Sequence, residues 1–125
     1  MGDSRLYRAR DGHVELLTAD HTLFGNPYMN QSNIPIDLAH TNVLLQAVGT
    51  NREVQVATRG ELVKPDDIFL LCSDGISGLV DASEIRIALT TAHGLEEAGE
   101  TLMSRAMEAG GRDNASAVLV RVVEK

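Results

Sequence analysis

The period of the hydrophobic positions changes several times along the chain, and each change marks an element. Leu6 to Arg8 and Val14 to Leu17 flank Ala9-Arg10-Asp11-Gly12. Asp-Gly supplies a tight turn because glycine accepts positive φ without steric cost. The segment therefore predicts a β-hairpin. From about Asp20 to Asn42 the chain is polar and contains Asn26-Pro27 and Ile34-Pro35. Proline lacks a backbone donor and blocks a continuous helix. This stretch reads either as a functional lid or flap or as a plain variable loop. Val43 to Val48 is apolar, ends at Gly49, and fits a short strand or one helical turn. Val54, Val56 and Thr58 alternate with polar Gln55, which predicts a strand with one buried face. Lys64-Pro65-Asp66-Asp67 is a turn. Ile68-Phe69-Leu70-Leu71-Cys72 is a strand apolar on both faces, ended by Ser73-Asp74-Gly75.

Two helices follow. Asp81 caps the first, and Glu84 three residues later completes a capping-box pattern. Ile85, Ala88, Leu89 and Ala92 form its apolar stripe, and Gly94 ends it. The second helix runs from about Leu95 to Ala109. Leu95, Ala98, Leu102, Ala106 and Ala109 recur at helical spacing, and Gly110-Gly111 stops it. Arg112-Asp113-Asn114 is a short turn. Ala115 to Val123 is a last strand, with Val118, Val120 and Val122 on one face and Ala117, Leu119 and Val123 on the other.

The 68–72 and 115–123 strands are apolar on both faces, so a sheet built from them needs cover on both sides. Two amphipathic helices can cover one side. Nothing else in the sequence can fully cover the other. The sequence therefore reads as a domain short of one layer, with the cover supplied by more chain or by a partner.

Composition narrows the classes. The 125 residues suit one domain, and a chain 43% hydrophobic and 23% charged is globular rather than disordered. Lys plus Arg number 11 and Asp plus Glu 18, so the net charge is 11 − 18 = −7. That sign argues against nucleic acid, whose phosphates call for basic residues. A single cysteine, Cys72, excludes an intrachain disulfide and fits a cytoplasmic setting. No stretch approaches the ~20 apolar residues that cross a bilayer, and the N-terminus does not look like a signal peptide. The four histidines, His13, His21, His40 and His93, lack paired ligand spacing and read as surface or loop residues.

Three acidic turns carry the candidate chemistry: Gly2-Asp3-Ser4-Arg5, Ser73-Asp74-Gly75 and Asp113-Asn114. Asp74 follows an apolar strand and Asp113 precedes one. If those strands are antiparallel neighbours, the two aspartates meet at one sheet edge. Clustered carboxylates repel unless a cation neutralises them, and oxygen donors suit Mg²⁺ or Mn²⁺. Taken singly, each motif is ordinary turn chemistry. Scattered acidic residues without a dense alternating loop do not make a calcium module.

The motifs in order resemble the PPM family of metal-dependent serine/threonine phosphatases. Gly2-Asp3-Ser4-Arg5, followed by Leu6-Tyr7 and a hairpin, resembles the family's Gly-Asp-Ser-Arg motif. Leu17-Thr18-Ala19-Asp20-His21-Thr22 resembles its Leu-Thr-x-Asp-His-Ser, and Ala47-Val48-Gly49 its Ala-Leu-Gly. Leu70-Leu71-Cys72-Ser73-Asp74-Gly75-Ile76-Ser77 is similar to its Leu-Leu-Cys-Ser-Asp-Gly-Leu-Thr. Gly111-Arg112-Asp113-Asn114-Ala115-Ser116 is similar to its Gly-x-Asp-Asn-x-Thr. The resemblance covers essentially the whole chain.

It implies an α+β fold, a partial α-β-β-α sandwich with antiparallel sheets and two C-terminal helices, with residues 1–125 as the C-terminal part of the catalytic domain. It implies that Asp74 and Asp113 bind the catalytic metal pair and that Asp3, with Asp74, helps bind a third ion. Gly75, Ser77 and Asn114 would lie near the site, and the stretch from about His21 to Asn42 would be the flap. Two or three Mn²⁺ or Mg²⁺ ions would serve the complete domain. The implied reaction is metal-assisted hydrolysis of phosphoserine or phosphothreonine in proteins, by activated water rather than by a serine or by Cys72. The family's earlier Asp-Gly segment, whose aspartate bridges two metals, and its phosphate-holding arginine precede the motif at which this chain starts. The expected partners are therefore a phosphorylated protein and either a missing N-terminal half or a second copy, with no nucleic acid and no membrane. The alternative is a non-catalytic, partner-binding or self-associating piece.

Overall fold

The Asp-Gly turn closes the first hairpin. Asp11 and Gly12 sit at φ 51° and 75°, the paired positive values of a type I′ turn, whose twist matches that of its strands. Strands β1 (Arg5–Arg10) and β2 (His13–Leu16) pair around it, with Arg10 opposite His13. In this computed structural model the described residues are 2–22, 44–45, 49, 52–54 and 56–124. The flap stretch falls largely outside them, as do His40 and most of Val43–Val48.

Two compact units emerge: residues 1–3 with 19–60, and residues 4–18 with 61–125. The larger unit holds a four-stranded antiparallel sheet in the order β2-β1-β3-β4, where β3 is Ile68–Cys72 and β4 is Ala117–Arg121. The register places Tyr7, Leu70 and Leu119 in one row and Leu6, Leu71 and Val118 in the next, on the opposite face. After β3 the chain turns through a short helix α1 (Asp74–Ser77), then α2 (Ala82–Thr91) and α3 (Leu95–Glu108). Asp81 caps α2 as a full capping box: its carboxylate accepts from the Ser83 and Glu84 N–H groups, while Glu84 reaches back to the Asp81 N–H.

The helices cover one face of the sheet. Tyr7, Ala9, Ile68, Leu70 and Cys72 pack there against Ile76, Ile85, Leu89, Leu102 and Ala106 in one core. The other face is open at Leu71, 46% exposed, and Val118, 58% exposed. Two apolar faces and one helical layer thus leave the uncovered side that the sequence pattern predicts. That face also carries a charged corner. Arg8 binds Glu15 at 2.7 Å and Glu61 at 3.0 Å.

In the smaller unit, Thr22 and Leu44 form an antiparallel bridge, and the His21 N–H donates to the Gly2 carbonyl.

Four boundaries differ from the sequence pattern. The alternation at Val54–Thr58 makes no strand among the described residues, and Val56 is 74% exposed. Alternation yields a strand only where a sheet edge and a core await it. The last strand, Ala117–Arg121, is shorter than 115–123, because β3 ends at Cys72 and turns into α1 beside residues 114–116. The first long helix ends at Thr91, with extended Ala92 as its C-cap, rather than at Gly94. The turn expected at Ser73-Asp74-Gly75 opens a one-turn helix, Asp74–Ser77, with Ser73 as its N-cap.

Candidate metal centre

The end of β3 and the start of β4 are neighbours, since Cys72 pairs with Ala117. Beyond that last pair the two chains stay in contact. The Ser73 N–H donates to the Ser116 carbonyl at 3.0 Å. The Ser116 N–H donates to Ser73 Oγ at 3.1 Å, and the Ser73 hydroxyl donates to the Asn114 carbonyl at 3.3 Å. Gly75 packs so closely that a Cβ there would overlap the Asn114 carbonyl oxygen and stand 2.8 Å from its carbon. Only glycine fits this approach. Asp74 and Asp113 are thereby carried on adjoining segments, as expected from antiparallel strands.

Both aspartates are exposed. Asp113 Oδ1 accepts from the N–H of the next residue, Asn114, at 2.7 Å. Among the described residues the Asp74 carboxylate has no hydrogen-bond or ion-pair partner. Two anionic oxygen donors on neighbouring backbones suit a hard, hydrated divalent cation, which binds through one or two carboxylates and keeps several waters. No cluster of three or more His, Cys, Asp or Glu side chains that could hold a metal occurs among the described residues. Ser77 sits one turn into α1, its hydroxyl donating to the Ser73 carbonyl at 3.4 Å. Asn114 contributes its carbonyl to the junction. Asp3 belongs to the smaller unit and is partly exposed.

Cys72 lies just before this junction but is buried, and burial pushes its thiol up. A thiol held protonated is a poor nucleophile. His13 and His93 are exposed. The ring of His21 is partly buried, and its Nδ1 has no hydrogen-bond partner among the described residues.

The same strand is preceded by another aspartate, Asp67, whose motif reads as plain turn chemistry in the sequence. Asp67 is 1% exposed. Arg10 grips it from Nε and from Nη2, both at 2.6 Å, and the Lys64 N–H adds a bond at 2.8 Å. The guanidinium, then the backbone donor, holds the Asp67 carboxyl well below the usual carboxylate range. Arg10 is raised in turn, first by that hydrogen bond. The only signal in the sequence was an acidic residue next to an apolar strand, with its partner 57 positions away.

Comparison with known proteins agrees with the motif order. No family model matches the chain. Protein phosphatase PhpP of Streptococcus pneumoniae is 32% identical over all of this chain and 52% of its own length. The serine/threonine phosphatase PstP/Ppp of Mycobacterium tuberculosis superposes with a TM-score of 0.84 at 30% identity, over 99% of this chain and 53% of that one. The catalytic domain of PstP in complex with two manganese ions gives 0.82 at 33% identity, over 99% of this chain and 52% of that one. The chain is homologous to bacterial PPM-type serine/threonine phosphatases, and it spans about half the length of the relatives it matches. No described helix is long and apolar enough to cross a membrane.

Proposed function

We propose that this chain takes part in metal-dependent hydrolysis of phosphoserine and phosphothreonine in proteins, as the C-terminal part of a PPM-type domain to which both compact units belong. The observation that carries the reading is the Asp74–Asp113 junction, with two exposed carboxylates on backbones that Ser73 and Gly75 hold together. Asp74 and Asp113 bind a divalent cation in this reading, and Asp3 shares in a further site. When bound, Mn²⁺ or Mg²⁺ supplies Lewis acidity, which acidifies water and neutralises phosphoryl charge. The protein's own part is to fix the carboxylates, while buried Cys72 and the serines form no covalent bond to phosphate. The relative that binds two manganese ions supports Mn²⁺ as the first ion to try. A cytoplasmic setting accords with the lone reduced cysteine.

The open sheet face favours a second reading for the chain by itself. Leu71, Val118 and Val120 expose apolar area on one face, and such a patch marks an association surface. In a complete domain the missing half covers it, and in this chain alone a second copy does.

Hydrolysis of a small aryl phosphate by the 125-residue chain, with Mn²⁺ and then excess chelator, tests the proposal. The expected outcome is turnover that needs metal and disappears in Asp74→Ala, with activity rising when the missing half is added. Metal-independent turnover, or turnover that survives in Asp74→Ala, would contradict it. A folded, inactive chain that stays inactive when the missing half is supplied would favour the binding module.

A further inference from the structure

Ser73 occupies the N-cap position of α1, with φ −77° and ψ 169°, yet its side chain makes no cap hydrogen bond. An N-cap serine ordinarily accepts from the N–H two or three residues on. Here the hydroxyl turns the other way, to the segment that leads into β4. It accepts from the Ser116 N–H at 3.1 Å and donates to the Asn114 carbonyl at 3.3 Å. The main-chain ladder between β3 and β4 ends at Cys72–Ala117. Past that point the Ser73 N–H still donates to the Ser116 carbonyl, and the Ser73 hydroxyl takes the reciprocal bond from the Ser116 N–H before the chain enters α1. Residues 112–114 are exposed, and 115 is only half-buried. Beyond the Ser73–Ser116 backbone bond, the segment is held at this edge by the Ser73 hydroxyl and by the close approach of Gly75.

We propose that Ser73 is a positioning residue, whose hydroxyl sets the spacing of the Asp74 and Asp113 carboxylates for cation binding. The inference rests on the metal-site reading above and adds a residue that touches neither metal nor substrate. Loss of the groups that orient a ligand typically costs 10- to 100-fold in metal affinity. Both atoms freed by Ser73→Ala belong to exposed residues, Asn114 and Ser116, where water can replace the hydroxyl, so the variant is expected to fold.

Mn²⁺ binding to the whole chain, followed by calorimetry, separates the possibilities, alongside amide hydrogen exchange in the metal-free protein. Wild type is expected to bind Mn²⁺ saturably, and Asp74→Asn to lose binding. Ser73→Ala should weaken it by roughly tenfold or more, and Ser73→Thr, which keeps the hydroxyl, should restore it to within about threefold. In metal-free Ser73→Ala the Ser116 N–H should exchange faster, while α3 amides stay protected. Ser73→Ala binding like wild type, or Ser73→Thr failing equally, would overturn the positioning role and leave the metal site standing. No saturable binding in wild type would overturn the metal reading itself. If Ser73→Ala does not fold, Ser73→Thr with wild-type Ser116 exchange and affinity still supports the role, and Ser73→Thr with lost affinity overturns it.

Discussion

Strand β3 is bracketed by two aspartates in opposite circumstances. Asp67 precedes it, buried and held by Arg10 and the Lys64 N–H. Asp74 follows it, exposed and without a partner among the described residues, beside a second carboxylate-bearing segment. A buried carboxylate is tolerable only with charge-assisted bonds on its oxygens, and Asp67 has three. Asp67 ties β1 to the start of β3, and its carbonyl accepts from the Val122 N–H while the neighbouring Asp66 N–H donates to the Val122 carbonyl. Its work is structural. Asp74 contributes little to holding the chain together and keeps its charge available. An acidic residue at a strand end is thus assigned by its partners rather than by its motif.

The largest effect should come from neutralising each in turn. Asp67→Asn leaves Arg10 facing a neutral amide and should lower the thermal midpoint by on the order of ten degrees. Asp74→Asn should leave the midpoint within about two degrees of wild type, because an exposed, unpaired carboxylate in an acidic protein stabilises nothing. Thermal unfolding followed by circular dichroism reads both. Equal losses would erase the distinction.

Acid sharpens it. The Asp67 carboxyl is depressed in the folded protein, so its stabilisation is present above the unfolded value of about 4 and is lost as pH falls below it. Wild type should therefore lose stability between about pH 4 and pH 2 more steeply than Asp67→Asn does, in melts at stepped pH. Asp81 and Glu97 are also depressed, by hydrogen bonds to their charged forms, and leave a shared residual slope in both proteins.

Gly75→Ala comes next. Its Cβ must displace the Asn114 carbonyl, which is backbone and cannot swing away. A cost of about 1 to 3 kcal/mol is expected from such overpacking, with weaker Mn²⁺ binding, by denaturant titration and calorimetry. The smallest effect belongs to Asp81→Ala, which removes the capping box at α2 and should lower the midpoint by a few degrees without touching metal affinity.

What the sequence made legible was local. The Asp-Gly turn, the capping box and the continuous apolar run of β3 each follow from neighbouring residues, and each formed where its pattern lies. The uncovered face was legible too, because two strands apolar on both sides cannot both be buried by two helices. The Asp74–Asp113 junction needed one long-range assumption, antiparallel neighbours, and the family resemblance supplied it. What stayed hidden depended on distant partners. Nothing near Asp67 announces Arg10 across the sheet. Nothing in Ser73-Asp74-Gly75 says that the serine hydroxyl turns from its own helix toward Ser116. Val54–Thr58 had the right period and no sheet edge to join.

The most direct test is a Mn²⁺ titration of the chain followed by backbone amide NMR, where a bound paramagnetic ion broadens nearby signals. Broadening is expected to be strongest at residues 73–77 and 112–116, to extend to the start of β1 beside Cys72, to be weakest around residues 64–68, and to be abolished in Asp74→Asn. Broadening centred on Asp67, or a pattern unchanged by Asp74→Asn, would contradict it.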